Sequence, residues 1–205
     1  MKYFILIFIS LITLVICASC GLIQTSSADK EKVRIAKEYG GIYVFDKKLR
    51  DEIIALEKQE LIERKKVSLD DPNFVKKMVA LEEKYSILSN GCKYYLKGPS
   101  KQELKENDWS LYYQKVKEYM GEEIFEKLKK GLAITSYYID KNGKVIPITM
   151  LTYISTTITT YGLYGDEGAG FRFTETRKTG MGGDNIFYLE NGRFIKSNEK
   201  RKDMK

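Results

Sequence analysis

Two patterns of hydrophobic and polar residues divide the chain after its apolar first segment. From Asp29 to Lys130 apolar residues recur at spacings of three and four, which predicts amphipathic helices. From Leu132 the spacing changes to two and the residues become β-branched and aromatic, which predicts strands. The sequence therefore predicts an α+β fold of one domain. In it a helical half, residues 29–131, packs with an antiparallel sheet of four or five strands, residues 132–196.

Start and stop signals predict the boundaries of the first helices. One helix is expected from Asp29 to Tyr39 and a second from Lys47 to Lys66. Asp71 and Pro72 suit the cap and first turn of a third helix, and Gly91 suits its end. The apolar stripe of this third helix is typical of a core face and consists of Phe74, Met78, Leu81, Tyr85 and Leu88.

A capping box predicts where the next helix begins, because Ser100 is followed three residues later by Glu103. This helix should run through Trp109 to Tyr119. Gly121 should then break it, because glycine interrupts a helix at little steric cost.

Two turns containing Asn-Gly punctuate the strand half. Asp140-Lys-Asn-Gly143 and Glu190-Asn-Gly192 predict tight hairpins, since Asn and Gly tolerate positive φ. The run from Lys144 to Tyr161 is long for one strand, so a break or bulge is expected between Leu151 and Ser155. Phe171–Thr176 alternates aromatic and polar residues and is predicted as another strand.

The first segment has the pattern of an export signal. One basic residue, Lys2, precedes the apolar run Phe4–Val15, which has the length of a signal-peptide core; a spanning helix needs about 20 residues. Small residues and a cysteine follow, Ala18-Ser19-Cys20. This arrangement resembles the lipobox of bacterial lipoproteins, in which the leader is removed and the cysteine carries a diacylglycerol.

The lipoprotein resemblance implies a signal peptide over residues 1–19, cleavage between Ser19 and Cys20, and lipidation of Cys20. Residues 20–28 would then be a lipidated tether. We expect the protein to be anchored in the outer membrane of a bacterial cell envelope and to face either the periplasm or the cell surface. Cys17 departs from the family pattern, which usually has Leu there. An ordinary signal peptide cut nearby, or an uncleaved anchor, is the alternative.

Composition excludes several classes of chemistry. Among 205 residues there is no histidine, which removes Ser-His-Asp and Cys-His catalysis as usually built and His-containing zinc sites. After the expected cleavage Cys92 is the remaining thiol, so no intramolecular disulfide is expected. The net charge of +7 is diffuse, and the basic tail, residues 197–205, is interpreted as a frayed end. We expect no metal, cofactor or nucleic-acid partner.

Two glycine-rich segments have the least usual composition, "YGLYGDEGAG" from Tyr161 to Gly170 and "TGMGGDN" from Thr179 to Asn185. Both are predicted as flexible surface loops. The functional alternative is that they contact a ligand, because binding residues often lie on loops. The residues that would do so are Tyr161, Tyr164, Asp166, Glu167 and Asp184.

Tyrosines are abundant and often adjacent, as in Tyr94-Tyr95 and Tyr137-Tyr138, and such rings suit both amphipathic packing and contact surfaces.

Together, the lipobox, the lack of histidine and the tyrosine-rich strands predict a non-enzymatic, lipid-anchored envelope protein that binds a protein or a glycan through its sheet half. The alternative is a carboxylate-dependent hydrolase of glycan or peptidoglycan. It requires two acidic side chains roughly 5–10 Å apart, one with a raised pKa. The acidic residues considered for it are Asp166, Glu167, Asp184 and Glu190.

Two weaker resemblances concern the mature part. Its Lys-, Tyr- and Ile-rich body, with "GEEIFEKLKKG" leading into "ITSYYIDKNGKVI", resembles small uncharacterised envelope lipoproteins of the Bacteroidota kind. The same stretch, Gly121–Ile146, is similar to the opening of the periplasmic C-terminal domain of TonB-like energy transducers. Those proteins need a spanning N-terminal helix, which a lipobox contradicts, so this likeness is taken as a fold expectation alone.

Overall fold

The computed structural model describes residues 2–19, 23–166 and 170–204. Within these residues no helix is both long and apolar enough to cross a membrane. The α-helices in chain order are α1 (Lys2–Ser19), α2 (Lys30–Tyr39), α3 (Lys47–Arg64), α4 (Phe74–Tyr85), α5 (Lys101–Glu106), α6 (Ser110–Met120) and α7 (Glu122–Leu128). Short 3₁₀ helices cover Lys129–Gly131 and Arg201–Met204.

The strands in chain order are β1 (Ile23–Ser26), β2 (Gly41–Val44), β3 (Tyr94–Tyr95), β4 (Leu132–Ile139), β5 (Val145–Asp166), β6 (Gly170–Gly182), β7 (Asn185–Glu190) and β8 (Arg193–Lys200). The chain divides into two compact units. We call them the ribbon unit, Met1–Arg34 with Ile154–Met181, and the core unit, Ile35–Tyr153 with Gly182–Lys205.

In the core unit the strand order is β3-β4-β5-β2-β7-β8. In the ribbon unit the later part of β5 pairs with β1 and with β6. The α+β class predicted from the sequence is confirmed. The sheet differs from the purely antiparallel one expected, because β2 and β7 are parallel.

Strand β2 comes from the half of the chain predicted to be helical. It lies between β5 and β7, and its residues Tyr43 and Val44 are fully buried. A strand buried on both faces has no alternating pattern, and four apolar residues between two helices are too few to reveal one. The sequence prediction therefore missed the strand that joins the two halves.

The third predicted helix is shorter than expected. It begins after Asn73 instead of Asp71, although Asp71 still accepts the backbone N–H of Asn73 at 2.8 Å and forms an ion pair with Lys77. It ends at Tyr85, and Gly91 occupies a later turn at φ 78°. The predicted stripe is confirmed as the inward face: its residues are buried or half-buried, including Leu88, which lies beyond the helix end.

The capping box is confirmed, since Ser100 and Glu103 exchange both of its hydrogen bonds. The single helix expected after it is instead two helices, α5 and α6, interrupted at Asn107. The Asn107 side chain donates to the Glu103 carbonyl at 2.8 Å and accepts from the Val145 backbone N–H at 3.0 Å. An asparagine that bonds to backbone groups in this way competes with the helix. The break at Gly121 is confirmed, with φ 82°.

Both predicted hairpin turns are confirmed. Gly143 has φ 78°, and Asn191 and Gly192 both have positive φ, as a tight hairpin requires. The break expected in the long strand is wrong, because β5 is continuous; the irregular pairing is in its neighbour β4, around Ser136. There the hydroxyls of Thr135 and Ser136 lie 2.8 and 2.6 Å from the Thr149 hydroxyl.

An aromatic cluster fills the centre of the core unit. The rings of Tyr43 and Phe187, from the parallel strands, stack at 4.4 Å. Tyr119 of α6 packs against Phe187 at 5.1 Å, and the rings of Phe194 of β8 and Tyr43 form a T-shaped contact at 5.0 Å. Burial raises the pKa of the Tyr43 hydroxyl well above its usual range, so this ring stays neutral. The cluster fixes helix α6 against the strands β2, β7 and β8.

Candidate functional site

The first glycine-rich segment is strand and not loop where the structure describes it. Tyr161 and Tyr164 belong to β5, whose last residue is Asp166, and Gly170 begins β6. Tyr161 is exposed and pairs with Ile23 of β1, whereas Tyr164 is half-buried. Residues three apart on a strand face opposite sides, so these two tyrosines do not form one contact surface. Glu167 lies outside the described residues, as does Cys20.

The second glycine-rich segment is a packing element and not the flexible loop expected. A Cβ atom on Gly183 would lie 2.1 Å from the Gly40 carbonyl oxygen and 2.3 Å from that of Ala36. The buried Asn185 side chain donates to the carbonyls of Lys37 at 2.9 Å and Gly40 at 2.8 Å. Glycine here allows the backbone to approach the end of α2, and asparagine satisfies the free carbonyls of that helix end.

Two of the four acidic residues considered for hydrolysis, Asp184 and Glu190, lie at opposite ends of β7 and are not brought together by it. Asp184 directly precedes this strand and Glu190 ends it, so their Cα atoms are about 20 Å apart. A carboxylate oxygen of Asp184 accepts from the Lys202 backbone N–H at 2.9 Å, and its carbonyl accepts from that of Arg201 at 3.0 Å. Asp184 therefore anchors the C-terminal 3₁₀ helix. The frayed end expected for the basic tail is wrong where the structure describes it, because residues 197–200 belong to β8 and residues 201–204 form this 3₁₀ helix.

A charged cluster around one buried arginine lies where α3 begins. Arg50 is 6% exposed and donates to the hydroxyl of Tyr188, which in turn donates to Glu199 at 2.8 Å. Burial and the hydrogen bond to Glu199 raise the pKa of Tyr188, so it remains a neutral donor. Arg50 also contacts Asp51 and Glu199, each at 3.3 Å. We interpret the cluster as a structural link between α3 and the strands β7 and β8, because its groups bond to one another.

The core unit contains a groove of about 600 Å³. This is within the usual size range of small-molecule sites. We call it the β3 groove. Its walls are Glu60 and Arg64 of α3, Glu82 and Ser86 at the end of α4, and the whole segment from Lys93 to Lys97.

Strand β3 forms one side of the β3 groove, and its two tyrosines face opposite sides of the strand. Tyr95 is half-buried, and its ring stacks on Tyr137 of β4 at 5.0 Å and 18°. Tyr94 is buried among Leu49, Ile53 and Ile148. The pKa of Tyr94 is raised to about 12, mainly because the side chain is buried and to a smaller extent because the carboxylates of Glu57 and Glu60 are nearby. Its phenol is therefore a neutral group at physiological pH.

The opposite wall carries a fixed ion pair. The Arg64 Nε and Nη2 atoms lie 2.6 and 2.5 Å from the same Glu60 carboxylate oxygen, and Glu82 is 3.9 Å from Arg64. Partial desolvation, together with the charge of Glu60, raises the pKa of Glu57 one turn earlier on α3. Among the described residues no cluster of three or more Cys, Asp or Glu side chains suits a metal ion.

Comparison with known proteins does not assign this chain to a family. No family model matches it, and neither a curated protein nor a solved structure is significantly similar to it. Sequence reasoning missed the β3 groove, because its walls come from three separate elements, α3, α4 and β3, and no local pattern shows how these elements pack together. The one signal in the sequence was the adjacent pair Tyr94-Tyr95.

Proposed function

We propose that the protein is a lipid-anchored binding module of the bacterial cell envelope, which holds an envelope ligand in the β3 groove. The observation that carries the binding role is the groove itself, with strand β3 on one side and a fixed Arg64–Glu60 pair on the other. Rigid aromatic and paired polar groups are the means by which binding sites orient a ligand. The lipobox over Ala18-Ser19-Cys20 supports the anchor, and the lack of histidine favours binding over catalysis.

The second candidate is a carboxylate-dependent hydrolase, and one observation favours it. Glu57 and Glu60 are one turn apart on α3, so their side chains are neighbours, and the pKa of Glu57 is raised. Time-dependent release of soluble sugar from purified peptidoglycan by the full chain would select the hydrolase. Binding without release would select the binding module.

Changing Cys20 to serine is expected to release the protein from the membrane fraction. Serine has no thiol to receive the lipid, and acyl chains contribute about 0.8 kcal/mol per buried methylene to membrane binding. Intact-mass spectrometry of the native protein should find residues 1–19 removed and a diacylglycerol on Cys20. Cys92→Ser is the matched control and should stay membrane-bound. A native mass with residues 1–19 attached and Cys20 unmodified would contradict the anchor.

Changing Tyr95 to alanine is expected to weaken binding to isolated envelope polymer about tenfold, since a rigid aromatic ring is a typical anchor of a binding site. The measurement is co-sedimentation of the detergent-solubilised full chain with the polymer. Tyr161→Ala, on the ribbon unit, removes an equally large exposed ring and should bind like the wild type. If Tyr161→Ala loses binding and Tyr95→Ala keeps it, the ligand site is on the ribbon unit instead.

A further inference from the structure

Strand β6 is an outer strand of the sheet in the ribbon unit. Thr159 of β5 pairs with Thr25 of β1, and its hydroxyl lies 3.4 Å from that of Thr176 on β6. Strand β5 therefore lies between β1 and β6, and among the described residues β6 pairs with β5 alone. The backbone N–H and C=O groups on the outer edge of an unpaired strand are available to another strand.

The described residues provide no layer that covers β6. All seven residues from Arg172 to Lys178 are exposed, although successive side chains of a strand point to opposite faces. Phe173 among them is 76% exposed. A small sheet without a packed layer is marginally stable in water, so main-chain pairing with a further strand would stabilise this one.

The charges along β6 are complementary to those of a second copy of the same strand. When two identical antiparallel strands pair about a two-fold axis, the residue at the axis lies opposite itself. With the axis at Thr176, Glu175 lies opposite Arg177 of the second copy, and Arg177 lies opposite its Glu175. The pairs further out contain no like charges: Thr174 with Lys178 and Phe173 with Thr179.

Other positions of the axis lack this complementarity. An axis at Glu175 places two carboxylates opposite each other, and an axis at Arg177 or Lys178 does the same with two cations. An axis at Thr174 forms no pair of opposite charges. Like charges directly opposite destabilise a strand pair and opposite charges stabilise it, so the charge pattern of β6 specifies the register about Thr176.

Within one copy, Glu175 contacts Arg172 at 3.3 Å. Both side chains are more than half exposed, and an ion pair of this kind contributes little to stability. Glu175 can therefore exchange this contact for Arg177 of a second copy at little cost.

We infer that the protein forms a two-fold symmetric dimer in which the β6 strands of two copies pair antiparallel about Thr176. The two ribbon sheets then form one continuous sheet, in the order β1-β5-β6 followed by β6-β5-β1 of the second copy. This contact is on the ribbon unit, whereas the proposed ligand groove belongs to the core unit, so the two are tested separately.

Charge reversal tests the pairing of Glu175 with Arg177. Glu175→Arg places two guanidinium groups opposite each other, and Arg177→Glu places two carboxylates opposite each other. Each variant alone should raise the dimer dissociation constant at least about tenfold. An equimolar mixture of the two variants should dimerise again, because each of these pairs then joins a cation and an anion; this recovery also shows that both variants fold.

The measurement is sedimentation velocity of the detergent-solubilised full chain over a range of concentrations, with enough detergent that micelles rarely hold two chains by chance. Arg193→Glu is the matched control. It reverses an exposed arginine of the core unit and should leave the dissociation constant unchanged.

Disulfide formation tests the register. In a Cys92→Ser background, Thr176→Cys should cross-link two copies under mild oxidation, because directly opposite residues have Cα atoms about 5 Å apart. Thr174→Cys is the matched control, since it changes an exposed threonine two residues away on the same face. Its Cα would be about 14 Å from that of the other copy, too far for a disulfide.

Four outcomes overturn the inference. The wild type could sediment as a single chain up to about 0.1 mM. The two reversals could leave the dissociation constant of a dimer unchanged, or their mixture could stay monomeric. Finally, the two cysteine variants could cross-link equally. None of these outcomes bears on binding of envelope polymer in the β3 groove, which the Tyr95 change tests.

Discussion

Replacing Gly183 with alanine is expected to lower the free energy of unfolding by about 3 kcal/mol, a cost typical of overpacking in a close contact. The added Cβ would lie 2.1 Å from the Gly40 carbonyl oxygen and 2.3 Å from that of Ala36, and real Cβ atoms do not approach so closely. Both obstacles are backbone atoms, so no side-chain rotation relieves the clash. The strand β7 or the end of α2 would have to move, and Asn185 would lose its bonds to that helix end.

Gly182 provides the control for this change. A Cβ there would meet the Thr152 carbonyl oxygen at 3.6 Å, an ordinary van der Waals distance. Gly182→Ala should therefore change stability by less than about 1 kcal/mol. The measurement is equilibrium denaturation in urea of both variants and the wild type. Equal stability of the two variants would mean that the close approach at Gly183 does not exist.

Replacing Ile186 with alanine is expected to cost about 3 kcal/mol, the usual loss when a buried aliphatic side chain is cut to alanine. Ile186 is fully buried on β7, in a cluster with Val44 of β2 and Tyr188, and it pairs in register with Ile42. The cavity would open under the parallel pair of strands. The change therefore reports on the parallel pairing of β2 and β7, which sequence reasoning did not foresee.

Ile195 is the matched control, since it is an isoleucine on the neighbouring strand β8 and is 51% exposed. Ile195→Ala carries the same loss of β-propensity and removes less buried surface, so it should cost about 1 kcal/mol or less. Denaturation curves of the two variants give the comparison. Similar losses in both would show that Ile186 is not in the core and would count against the parallel β2–β7 pair.

These two stability tests bear on the proposed function as well. Strands β2, β4 and β5 are adjacent in the core unit, and β4 in turn carries β3 and the Tyr137 ring that orients Tyr95. A groove assembled in this way depends on the sheet being correctly ordered. Affinity measurements on the groove variants are therefore informative only for proteins whose unfolding matches that of the wild type.

Local features were predictable from the sequence because their causes lie within a few residues. The Ser100–Glu103 capping box, the break at Gly121 and the two Asn-Gly hairpins depend on one side chain or one φ angle, and all are confirmed. The α+β class followed from the change of hydrophobic period near Gly131. The lipobox at Cys20 is also a local pattern, and it stays a prediction.

Tertiary structure alone decided the rest, since the forces concerned act between residues far apart in the chain. The place of β2 beside β7 depends on burial of both faces of a four-residue strand, which leaves no periodic pattern to detect. The sequence predicts that the glycines before β7 form a loop. In the structure they pack against the end of α2, which lies nearly 150 positions earlier in the chain, so no local pattern could indicate this contact. The β3 groove exists because α3, α4 and β3 meet. The sequence alone determined the class and the turns of this protein. Contacts over long chain distances determined its sheet order, and the packing of three successive elements formed its candidate site.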